Sequence, residues 1–451
     1  MTQPHIEPAG RRFRAFTAKH LDALLQRAGM CDTERLAIRA VGMVLPFRTN
    51  SYVVDTLIDW DAVPDDPIYR LVFPQAAMLP AADVNRIAHL LTSGAAGELR
   101  HAVHEIRMRL NPHPAGQLAL NVPAHGDEPL PGVQHKYHET VLVFPKQGQT
   151  CHAYCTYCFR WAQFVDEPDL KMATSDIDRI ICYLRAHREV TSVLVTGGDP
   201  MIMGSGVLRR YIEPLLEPGL EHVESIRIGS KSLAYWPQRF VTDPDAEDTL
   251  RLFEQVVATG RTLAFMAHFS HPRELEPPVV ADAVRRIRGT GAVIRTQAPL
   301  IRSINDDAGT WARMWRAQVR MGMIPYYMFI ERDTGPQDFF AVPLARGYQV
   351  YRDAYRSVSG LARTVRGPSM SATPGKVCVD GIAEVAGHRV FVLHMIQARD
   401  ASLAGKPFFA RFDPAATWIS DLEPAFADRF PWDPEPAVVP DLWAGEMFEP
   451  A

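Results

Sequence analysis

The stretch Cys151-His152-Ala153-Tyr154-Cys155-Thr156-Tyr157-Cys158 places three of the six cysteines of this chain within one short loop. Thiolates are the usual ligands of iron–sulfur clusters, and a four-iron cluster normally takes four of them. No fourth cysteine lies nearby, so three ligands from one loop would leave one iron open to an exogenous ligand. Structural zinc is the competing interpretation, but it prefers four ligands, commonly in paired CxxC units. The spacing favours a cluster held by Cys151, Cys155 and Cys158.

The composition indicates a soluble protein of a reducing compartment. The chain has 451 residues, of which 47% are apolar and 22% charged, and a formal net charge of −4 gives no long-range field for nucleic acid or anionic lipid. The N-terminal residues lack the apolar segment of a secretory signal, and no later stretch is long and apolar enough to span a bilayer. The isolated Cys31, Cys182 and Cys378 are interpreted as small buried apolar residues. We therefore expect a cytoplasmic protein that binds neither nucleic acid nor membrane.

The pattern of the sequence changes near residue 135. Residues 1–135 form a predicted helical N-terminal region, with helices near 16–28, 81–95 and 94–110. From 136 to 370, β-branched runs alternate with amphipathic stretches, as in βα units around a parallel sheet. The predicted strands are Thr140–Phe144, Ser192–Thr196, Ser225–Ile228, Thr262–Ala267, Ala292–Thr296 and Pro325–Ile330, and the helices lie near 175–188, 206–216, 246–258, 277–289 and 309–321. These units predict an α/β fold with a partial (β/α)6 barrel, followed by a small C-terminal region, 371–451, with one or two strands and a tail rich in Pro, Trp and Phe.

Distinctive polar residues follow each of the six predicted strands. After the cysteine loop come Gly197-Gly198-Asp199-Pro200, Gly229-Ser230-Lys231, His268-Phe269-Ser270-His271, Gln297 and Arg332. In a parallel barrel the carboxyl ends of the strands meet at one mouth, where active sites are built. Glycines let the backbone approach a ligand closely, and a carboxylate accepts hydrogen bonds from an ammonium group. The sequence therefore predicts one site that combines the cysteine loop with these strand ends.

The cysteine loop resembles the signature of the radical S-adenosylmethionine (SAM) superfamily, including the aromatic residue before the third cysteine. Gly197-Gly198-Asp199-Pro200 resembles the GGEP-type motif of that superfamily, with Asp in place of Glu. The resemblance implies a [4Fe–4S] cluster that binds SAM and cleaves it to a 5′-deoxyadenosyl radical. It also implies that the residues around these cofactors include Tyr157, Gly197, Gly198, Asp199, Arg227, Ser230, His268 and Gln297.

The resemblance narrows to the lysine 2,3-aminomutase family and spans about 270 residues. The motifs that carry it, in order, are Asp59-Trp60 through Asp65-Asp66-Pro67-Ile68, Leu130-Pro131-Gly132 with His135-Lys136-Tyr137, Val195-Thr196-Gly197-Gly198-Asp199-Pro200, Arg227-Ile228-Gly229-Ser230-Lys231, Pro237-Gln238-Arg239, His268-Phe269-Ser270-His271-Pro272, Leu300-Ile301-Arg302 through Asn305-Asp306, and Pro325-Tyr326-Tyr327. This family implies a 2,3-aminomutase, an isomerase that moves an α-amino group to the β-carbon. The migration proceeds through the adenosyl radical and a pyridoxal-phosphate imine of the substrate.

Pyridoxal phosphate needs a lysine for covalent attachment. The family carries this lysine in a glycine-rich loop beyond the sixth strand, and the stretch Ser371-Ala372-Thr373-Pro374-Gly375-Lys376 resembles that loop. The resemblance therefore implies Lys376 as the catalytic lysine, whereas an ordinary exposed loop lysine is the alternative. Most of the family's glycines are replaced here, and Lys136 and Thr140 stand where the family has two arginines around the cofactor phosphate. The alternative that this protein is a family member without pyridoxal phosphate therefore stays open.

Three further residues bear on the substrate. The resemblance implies that Arg160 pairs with the substrate carboxylate, a task that suits the bidentate guanidinium. Arg332 and Ser369 stand where lysine-specific members bind the distal ammonium with two aspartates. Neither residue stabilises a cation, so charge complementarity predicts a substrate whose far end is anionic or neutral. The alternatives are that Arg160 is a surface arginine and that Glu331 and Asp333 neutralise Arg332 or replace it in register.

Three hypotheses for the whole protein follow. The first is an amino-acid 2,3-aminomutase that acts on an acidic or neutral substrate. The second is another radical SAM reaction, such as an epimerase or dehydratase on a small polar substrate. The third is a binding or sensing module with a structural metal, which the strand-end motifs disfavour. For either enzyme the resemblance implies a small-molecule amino-acid substrate, an electron donor such as flavodoxin or ferredoxin, and a homo-oligomer.

Overall fold

An eleven-stranded sheet is the largest of three sheets in the protein, whose computed structural model describes residues 12–434; the other two have two strands each. The strands of the large sheet lie side by side in the order in which the chain forms them. They are β1 (Val133–Tyr137), β2 (Thr140–Val143), β3 (Ser192–Val195), β4 (Ser225–Ser230), β5 (Thr262–His268), β6 (Val293–Leu300), β7 (Ile324–Ile330), β8 (Arg366–Ser371), β9 (Gly375–Val385), β10 (His388–Ala398) and β11 (Pro407–Arg411). Neighbouring strands from β2 to β8 are parallel, and the remaining pairings are antiparallel.

Helices precede the sheet and connect its parallel strands. They are α1 (Ala18–Arg27), α2 (Asp32–Val44), α3 (Pro67–Val72), α4 (Ala81–Ser93), α5 (Ala96–Arg109), α6 (Ile177–Ala186), α7 (Ser205–Ile212), α8 (Ser232–Tyr235), α9 (Ala246–Ala258), α10 (Pro278–Gly289), α11 (Ala308–Arg320), α12 (Gln337–Phe340) and α13 (Leu344–Arg356). Among the described residues, no helix is long and apolar enough to cross a membrane.

In strand β4 the side chains alternate between the two faces of the sheet, and this alternation positions the site. Ile226 and Ile228 are fully buried on one face of the strand, and burial of each contributes about 1.5–3 kcal/mol of hydrophobic stabilisation. Arg227 lies between them and therefore points to the opposite face. The apolar residues thus pack under the sheet, and the same alternation presents a guanidinium on the face that carries the site.

The six predicted strands are all present as β2 to β7, and the five predicted connecting helices are present as α6, α7, α9, α10 and α11. The largest difference among these strands is in β6, which ends at Leu300 rather than 296. In the N-terminal region the three predicted helices correspond to α1, α4 and α5, whereas α2 and α3 were not predicted. The α/β class is therefore confirmed, and the sheet is open, with β1 and β11 at its edges.

The C-terminal region differs from the prediction of one or two strands. Three strands beyond residue 370 extend the same sheet in antiparallel order. The hairpin between β9 and β10 turns at Ala386 and Gly387, which both have positive φ, at 50° and 78°, as a two-residue hairpin turn requires. Part of the predicted Pro/Trp/Phe-rich tail, 435–451, and the N-terminal residues 1–11 lie outside the described residues.

The two antiparallel ends of the sheet approach each other. The Nζ of Lys136 on β1 donates a hydrogen bond to the carbonyl of Ala372, between β8 and β9. Lys376 on β9 lies over the Tyr137 ring of β1, with its Nζ 5.9 Å from the ring centroid. Because these residues are far apart in the sequence, the sheet must curve for them to meet. The curvature brings the C-terminal hairpin to the residues that follow the parallel strands.

Candidate active site

The cysteine loop between β2 and α6 is anchored by the N-terminal region. The amide of Tyr154 donates to the Arg48 carbonyl at 2.8 Å, and that of Thr156 donates to the Leu71 carbonyl at 2.9 Å. The Thr156 hydroxyl also donates to the Arg70 carbonyl at 2.7 Å. The helical region before the sheet therefore fixes the conformation of the loop that carries the three thiols.

The three thiols of this loop are partly buried and lie close enough for their charges to interact. Burial raises the pKa of Cys158 to about 12 and that of Cys151 well above its usual range. Bound metal replaces the thiol proton, so such groups become thiolates only when a metal compensates the buried charge. A donor set of three converging, partly buried thiols fits an iron–sulfur cluster.

The spacing of the thiols also bears on the zinc alternative. In the described part of the chain, these thiols do not form a group of three His, Cys, Asp or Glu ligand atoms within 4.8 Å of one another. Ligand atoms around one tetrahedral zinc lie closer, at about 3.3–3.8 Å. His152 packs edge-on against Phe13, with ring centroids 5.7 Å apart, and burial lowers its pKa to about 3. His152 therefore packs against an aromatic ring rather than completing a metal site with the three thiols.

The glycine pair after β3 packs against the cysteine loop. A Cβ on Gly198 would overlap the Thr150 backbone, and Gly197 has a φ of 150°. The carboxylate of Asp199 is 2% exposed and accepts hydrogen bonds from Met201 N at 2.9 Å, Ser230 Oγ at 3.0 Å and Lys231 N at 2.9 Å. A carboxylate has about four acceptor positions, and hydrogen bonds within the protein occupy three of those of Asp199. The motif joins the cysteine loop to the end of β4 and leaves one acceptor position for a ligand.

A buried polar network links the cysteine loop to the ends of β4 and β5. The hydroxyl of Tyr157 lies 3.1 Å from His268 Nε2 and 2.8 Å from Ser270 Oγ. Lys231 Nζ donates to Ser270 Oγ at 3.2 Å and pairs with Glu274 Oε1 at 2.8 Å. Burial lowers the pKa of His268 well below its usual range, so its imidazole is neutral. The network brings Tyr157 and His268, two of the residues predicted to lie around the cofactors, into contact.

Sequence reasoning did not assign a role to Lys231, Ser270 or Glu274. A signal for Lys231 was its place in the Arg227–Lys231 motif of a chain rich in arginine. Glu274 carried no comparable signal, because its partner lies on another strand end. Its carboxylate is fully buried and also accepts from the amide of Ser270 at 2.5 Å.

Breaking this buried pair is expected to destabilise the protein strongly. Glu274→Gln leaves the ammonium of Lys231, 9% exposed, without its charge partner, so we expect the free energy of unfolding to fall by about 3–5 kcal/mol. Asp282→Asn is the control, since it breaks an exposed pair with Arg285 and should cost at most about 1 kcal/mol. Urea unfolding followed by circular dichroism measures both, and equal losses would refute the role assigned to the buried pair.

The remaining predicted cofactor residues lie on β4 and β6. Ser230 is buried, and its hydroxyl lies 2.6 Å from the Ser232 hydroxyl in addition to its bond to Asp199. Gln297 pairs with His268 across β5 and β6, which places it beside the network. Arg227 Nε is buried and makes no hydrogen bond with a described residue. Arg227 points to the face opposite Ile226 and Ile228, whereas Ser230 lies at the end of β4 beside Asp199.

Lys376 lies in a partly buried aromatic pocket, and on strand β9 rather than in the predicted loop. Its Nζ is 4.4 Å from the centroid of the Tyr327 ring and 5.8 Å from that of Phe329, and it donates to Gln397 Oε1 at 3.3 Å. Burial lowers its pKa to about 8. At pH 8 about half of the amine is then neutral, compared with about 0.3% for an ordinary lysine. A neutral amine in such a pocket is a competent nucleophile.

Several basic side chains lie near Lys376. Burial, followed by the charges of Arg332, Arg399 and Lys376, lowers the pKa of Lys136 to about 6. Among the residues that the structure describes, none of these four groups forms an ion pair with a carboxylate within 4.0 Å. Arg399 was not predicted, because it follows β10 and reaches the site only through the curvature of the sheet. The uncharged Thr140 is buried on β2.

Arg160 and Arg332 flank the ring of Phe159. Their guanidinium carbons lie 5.1 and 5.0 Å from its centroid. Arg160 donates to the Gly197 carbonyl at 2.8 Å, and burial lowers its pKa to about 10. It is therefore not the exposed surface arginine of the alternative interpretation.

The Nε and Nη2 atoms of Arg332 are buried and make no hydrogen bond with a described residue. Burial raises the pKa of the neighbouring Glu331 well above its usual range, so this side chain is held neutral. Asp333 Oδ1 likewise makes no hydrogen bond with a described residue. Neither side chain forms an ion pair with Arg332 within 4.0 Å, although the negative charge of Asp333 acts on it. Ser369 is fully buried, and its hydroxyl lies 3.5 Å from the Met328 carbonyl.

Comparison with known proteins identifies one relative that covers 88% of the chain and others that cover about half of it, although no protein-family model matches. The chain is 31% identical over 398 residues to a protein of Aquifex aeolicus named "Putative L-lysine 2,3-aminomutase", a match that covers 88% of this chain and 93% of that protein. It is 29% identical over 242 residues to the L-lysine 2,3-aminomutase of Fusobacterium nucleatum, which covers 53% of each protein. A radical SAM methyltransferase structure from Sphaerobacter thermophilus matches at 16% identity and a TM-score of 0.37, over 53% of this chain and 68% of that chain, which is too distant to bear on the fold.

Proposed function

The chain belongs to the lysine 2,3-aminomutase family of radical SAM enzymes, and from that premise we propose that it is a pyridoxal-phosphate-dependent 2,3-aminomutase. Membership implies a [4Fe–4S] cluster and SAM. The observation that carries the finer proposal is Lys376, an amine with a pKa of about 8 in an aromatic pocket. A series of neighbouring charged groups connects this pocket to the cysteine loop: Lys136 interacts with Arg332, Arg332 with Arg160, and Arg160 with Cys158.

The residues around Lys376 fit pyridoxal phosphate. Lys376 would attach the cofactor, and the Tyr327 ring offers an aromatic face beside it. Lys136, whose pKa of about 6 would rise beside a bound anion, would bind the phosphate together with Arg399. When bound, the cofactor holds the substrate amine covalently and permits its nitrogen to migrate. Arg399 would supply charge that Thr140 does not provide, while its Nε, Nη1 and Nη2 atoms already donate to the Thr373 carbonyl, the Leu120 carbonyl and Asn121 Oδ1.

We propose that the substrate is an amino acid with an acidic or neutral side chain. Arg160 would pair with the α-carboxylate, and the open Nε and Nη2 atoms of Arg332 would donate to a distal carboxylate or another acceptor. An ammonium at that position would be repelled by Arg332. Buried donors without partners are costly, so a ligand that satisfies them gains affinity.

Replacing Arg332 tests the substrate class. For Arg332→Ala we expect kcat/KM for the preferred acidic amino acid to fall by about 10²–10³-fold, since the loss of a buried charged hydrogen bond costs about 3–4 kcal/mol. Formation of β-amino acid, measured over a panel of glutamate, glutamine, alanine and lysine, gives the preference. Arg320→Ala, in the exposed last turn of α11, should leave it unchanged. A wild-type preference for lysine would overturn the proposal.

The second candidate is a radical SAM reaction on a small polar substrate without pyridoxal phosphate, such as epimerisation or dehydration. The observation that favours it is Thr140, which is uncharged where the family has an arginine at the phosphate. Anaerobic purification followed by an absorption spectrum separates the two, because pyridoxal phosphate and the cluster absorb differently.

The remaining expectations are proposals of the same kind. We propose that β2 to β7 with their helices form a partial (β/α)6 barrel, that residues 136–370 form this unit between an N-terminal region, 1–135, and a C-terminal region, 371–451, and that the enzyme is a cytoplasmic homo-oligomer. A flavodoxin or ferredoxin would supply the electron. Size-exclusion chromatography with light scattering tests the oligomer.

A further inference from the structure

Three potential metal ligands converge on the C-terminal hairpin, away from the cysteine loop. Cys378 and Asp380 lie two residues apart on β9, and His394 stands directly across from Cys378 on β10. The Sγ atom, a carboxylate oxygen and an imidazole nitrogen all lie within 4.8 Å of one another. Cys378 was predicted to be an isolated buried apolar residue; it is 5% exposed, but it lies beside two other ligand types. The same prediction was wrong for Cys31 and Cys182, which are exposed.

The register of the hairpin explains the convergence. Paired residues of neighbouring antiparallel strands place their side chains on the same face, which brings His394 beside Cys378. The pairing skips Asp380, as in a β-bulge, between Val379 and Gly381. A bulge re-aims the side chain of the extra residue, and the carboxylate of Asp380 reaches His394, with Oδ2 2.6 Å from Nδ1.

This set of donors suits a borderline-soft divalent cation. Zinc binds thiolate, imidazole and carboxylate together, and it takes four ligands in a tetrahedron. The ligand atoms would then lie about 3.3–3.8 Å apart, which requires only small side-chain movements from the present arrangement. The direct contact of Asp380 and His394 would be replaced by a shared bond to the metal.

A cavity of about 490 Å³ opens beside the three ligands. Its lining includes all three of them, together with Arg366 and Tyr351. Sites with three protein ligands and an open position take water or an exogenous ligand as the fourth. The guanidinium of Arg366 on the same wall favours an anionic or hydroxide-type fourth ligand.

We propose that Cys378, Asp380 and His394 form a zinc site whose fourth ligand comes from this cavity. The site is separate from the cysteine loop and does not depend on the proposed aminomutase activity. Lys376 lies two residues before Cys378 on the same strand, and Arg366 contacts the rings of Tyr326 and Tyr327, with its guanidinium carbon 5.0 and 5.7 Å from their centroids. A metal that joins β9 to β10 would therefore hold the strand that carries the candidate catalytic lysine.

The metal content of the full chain tests the proposal. The protein is reconstituted anaerobically with iron and sulfide, equilibrated with Zn²⁺ and passed over a weak chelating resin, and zinc and iron are measured by mass spectrometry. We expect about one zinc per chain in addition to the iron of the cluster. His394→Gln and Cys378→Ser should each lower bound zinc at least tenfold without changing iron. His388→Gln, at the start of β10, is the matched control and should retain zinc.

Two further measurements keep the result unambiguous. Zinc bound to vacant cluster thiols is recognised in the variant Cys151→Ala/Cys155→Ala/Cys158→Ala, which should still hold one zinc. Co²⁺ added to the reconstituted protein should give a thiolate-to-cobalt charge-transfer band that is absent from Cys378→Ser. Zinc that is unaffected by His394→Gln and Cys378→Ser, or the absence of both zinc and the cobalt band in the wild type, would overturn the proposal. Neither outcome bears on aminomutase activity, which is assayed separately.

Discussion

Cys155→Ala is expected to abolish both the iron–sulfur cluster and the cleavage of SAM. Two thiolates cannot hold a four-iron cluster that the family binds with three. The loss should therefore be complete in iron content and at least about a thousandfold in 5′-deoxyadenosine formation, which corresponds to about 4 kcal/mol. Iron and sulfide assays, together with chromatography of 5′-deoxyadenosine after chemical reduction with SAM present, measure the two effects.

Cys182→Ala provides the matched control, because Cys182 is an exposed cysteine on the neighbouring helix α6. This variant should keep its iron and its SAM cleavage. If Cys155→Ala retained a full complement of iron, or if it lost zinc in place of iron, the cluster assignment to this loop would be wrong.

Lys376→Ala is expected to remove pyridoxal phosphate and the amino shift while leaving the cluster intact. No other lysine is expected to replace it, because Lys136, the nearest candidate, donates to the carbonyl of Ala372. The visible absorbance of bound pyridoxal phosphate and the formation of β-amino acid should disappear together, whereas the iron content should remain at the wild-type level. Lys171→Ala, at a partly exposed ion pair with Asp166, should behave as the wild type.

The pKa of Lys376 adds a pH dependence to this prediction. Because burial lowers this pKa to about 8, the amine is protonated below that value and neutral above it. The rate at which the apo-protein takes up pyridoxal phosphate should rise with pH and level off above about 8, rather than continue to rise toward 10.5. A Lys376→Ala enzyme that keeps its activity without bound pyridoxal phosphate would favour the second candidate function.

The central βα units could be predicted because their information is local. Runs such as Ser192-Val193-Leu194-Val195 and the amphipathic stretch of α9 carry their own periodicity. The C-terminal hairpin could not be predicted in the same way, since β9 and β10 mix apolar residues with Lys376, Asp380, Arg389 and His394. Their pairing extends the sheet from the neighbouring strand β8. For the same reason Lys376 was placed in a loop and lies on a strand.

The residues of the candidate site show the same difference between local and distant information. The cysteines are neighbours in sequence, so their spacing alone predicts a metal-binding loop, and the strand-end motifs add the prediction of one shared site. Pairs such as Lys231 with Glu274 and Lys136 with Ala372 join residues that are 43 and 236 positions apart. No local pattern encodes such contacts.

What the sequence by itself determined is therefore the βα alternation, the three clustered thiols and the resemblance to one family, because each resides in short segments with their own chemistry. The tertiary structure alone decided which charges surround Lys376, that neither Glu331 nor Asp333 forms an ion pair with Arg332, and that Cys378 meets Asp380 and His394. These properties arise where the curved sheet brings distant strands together and excludes water. Burial then sets the pKa values of the groups it encloses. The identities of neighbouring residues in the sequence do not predict that burial.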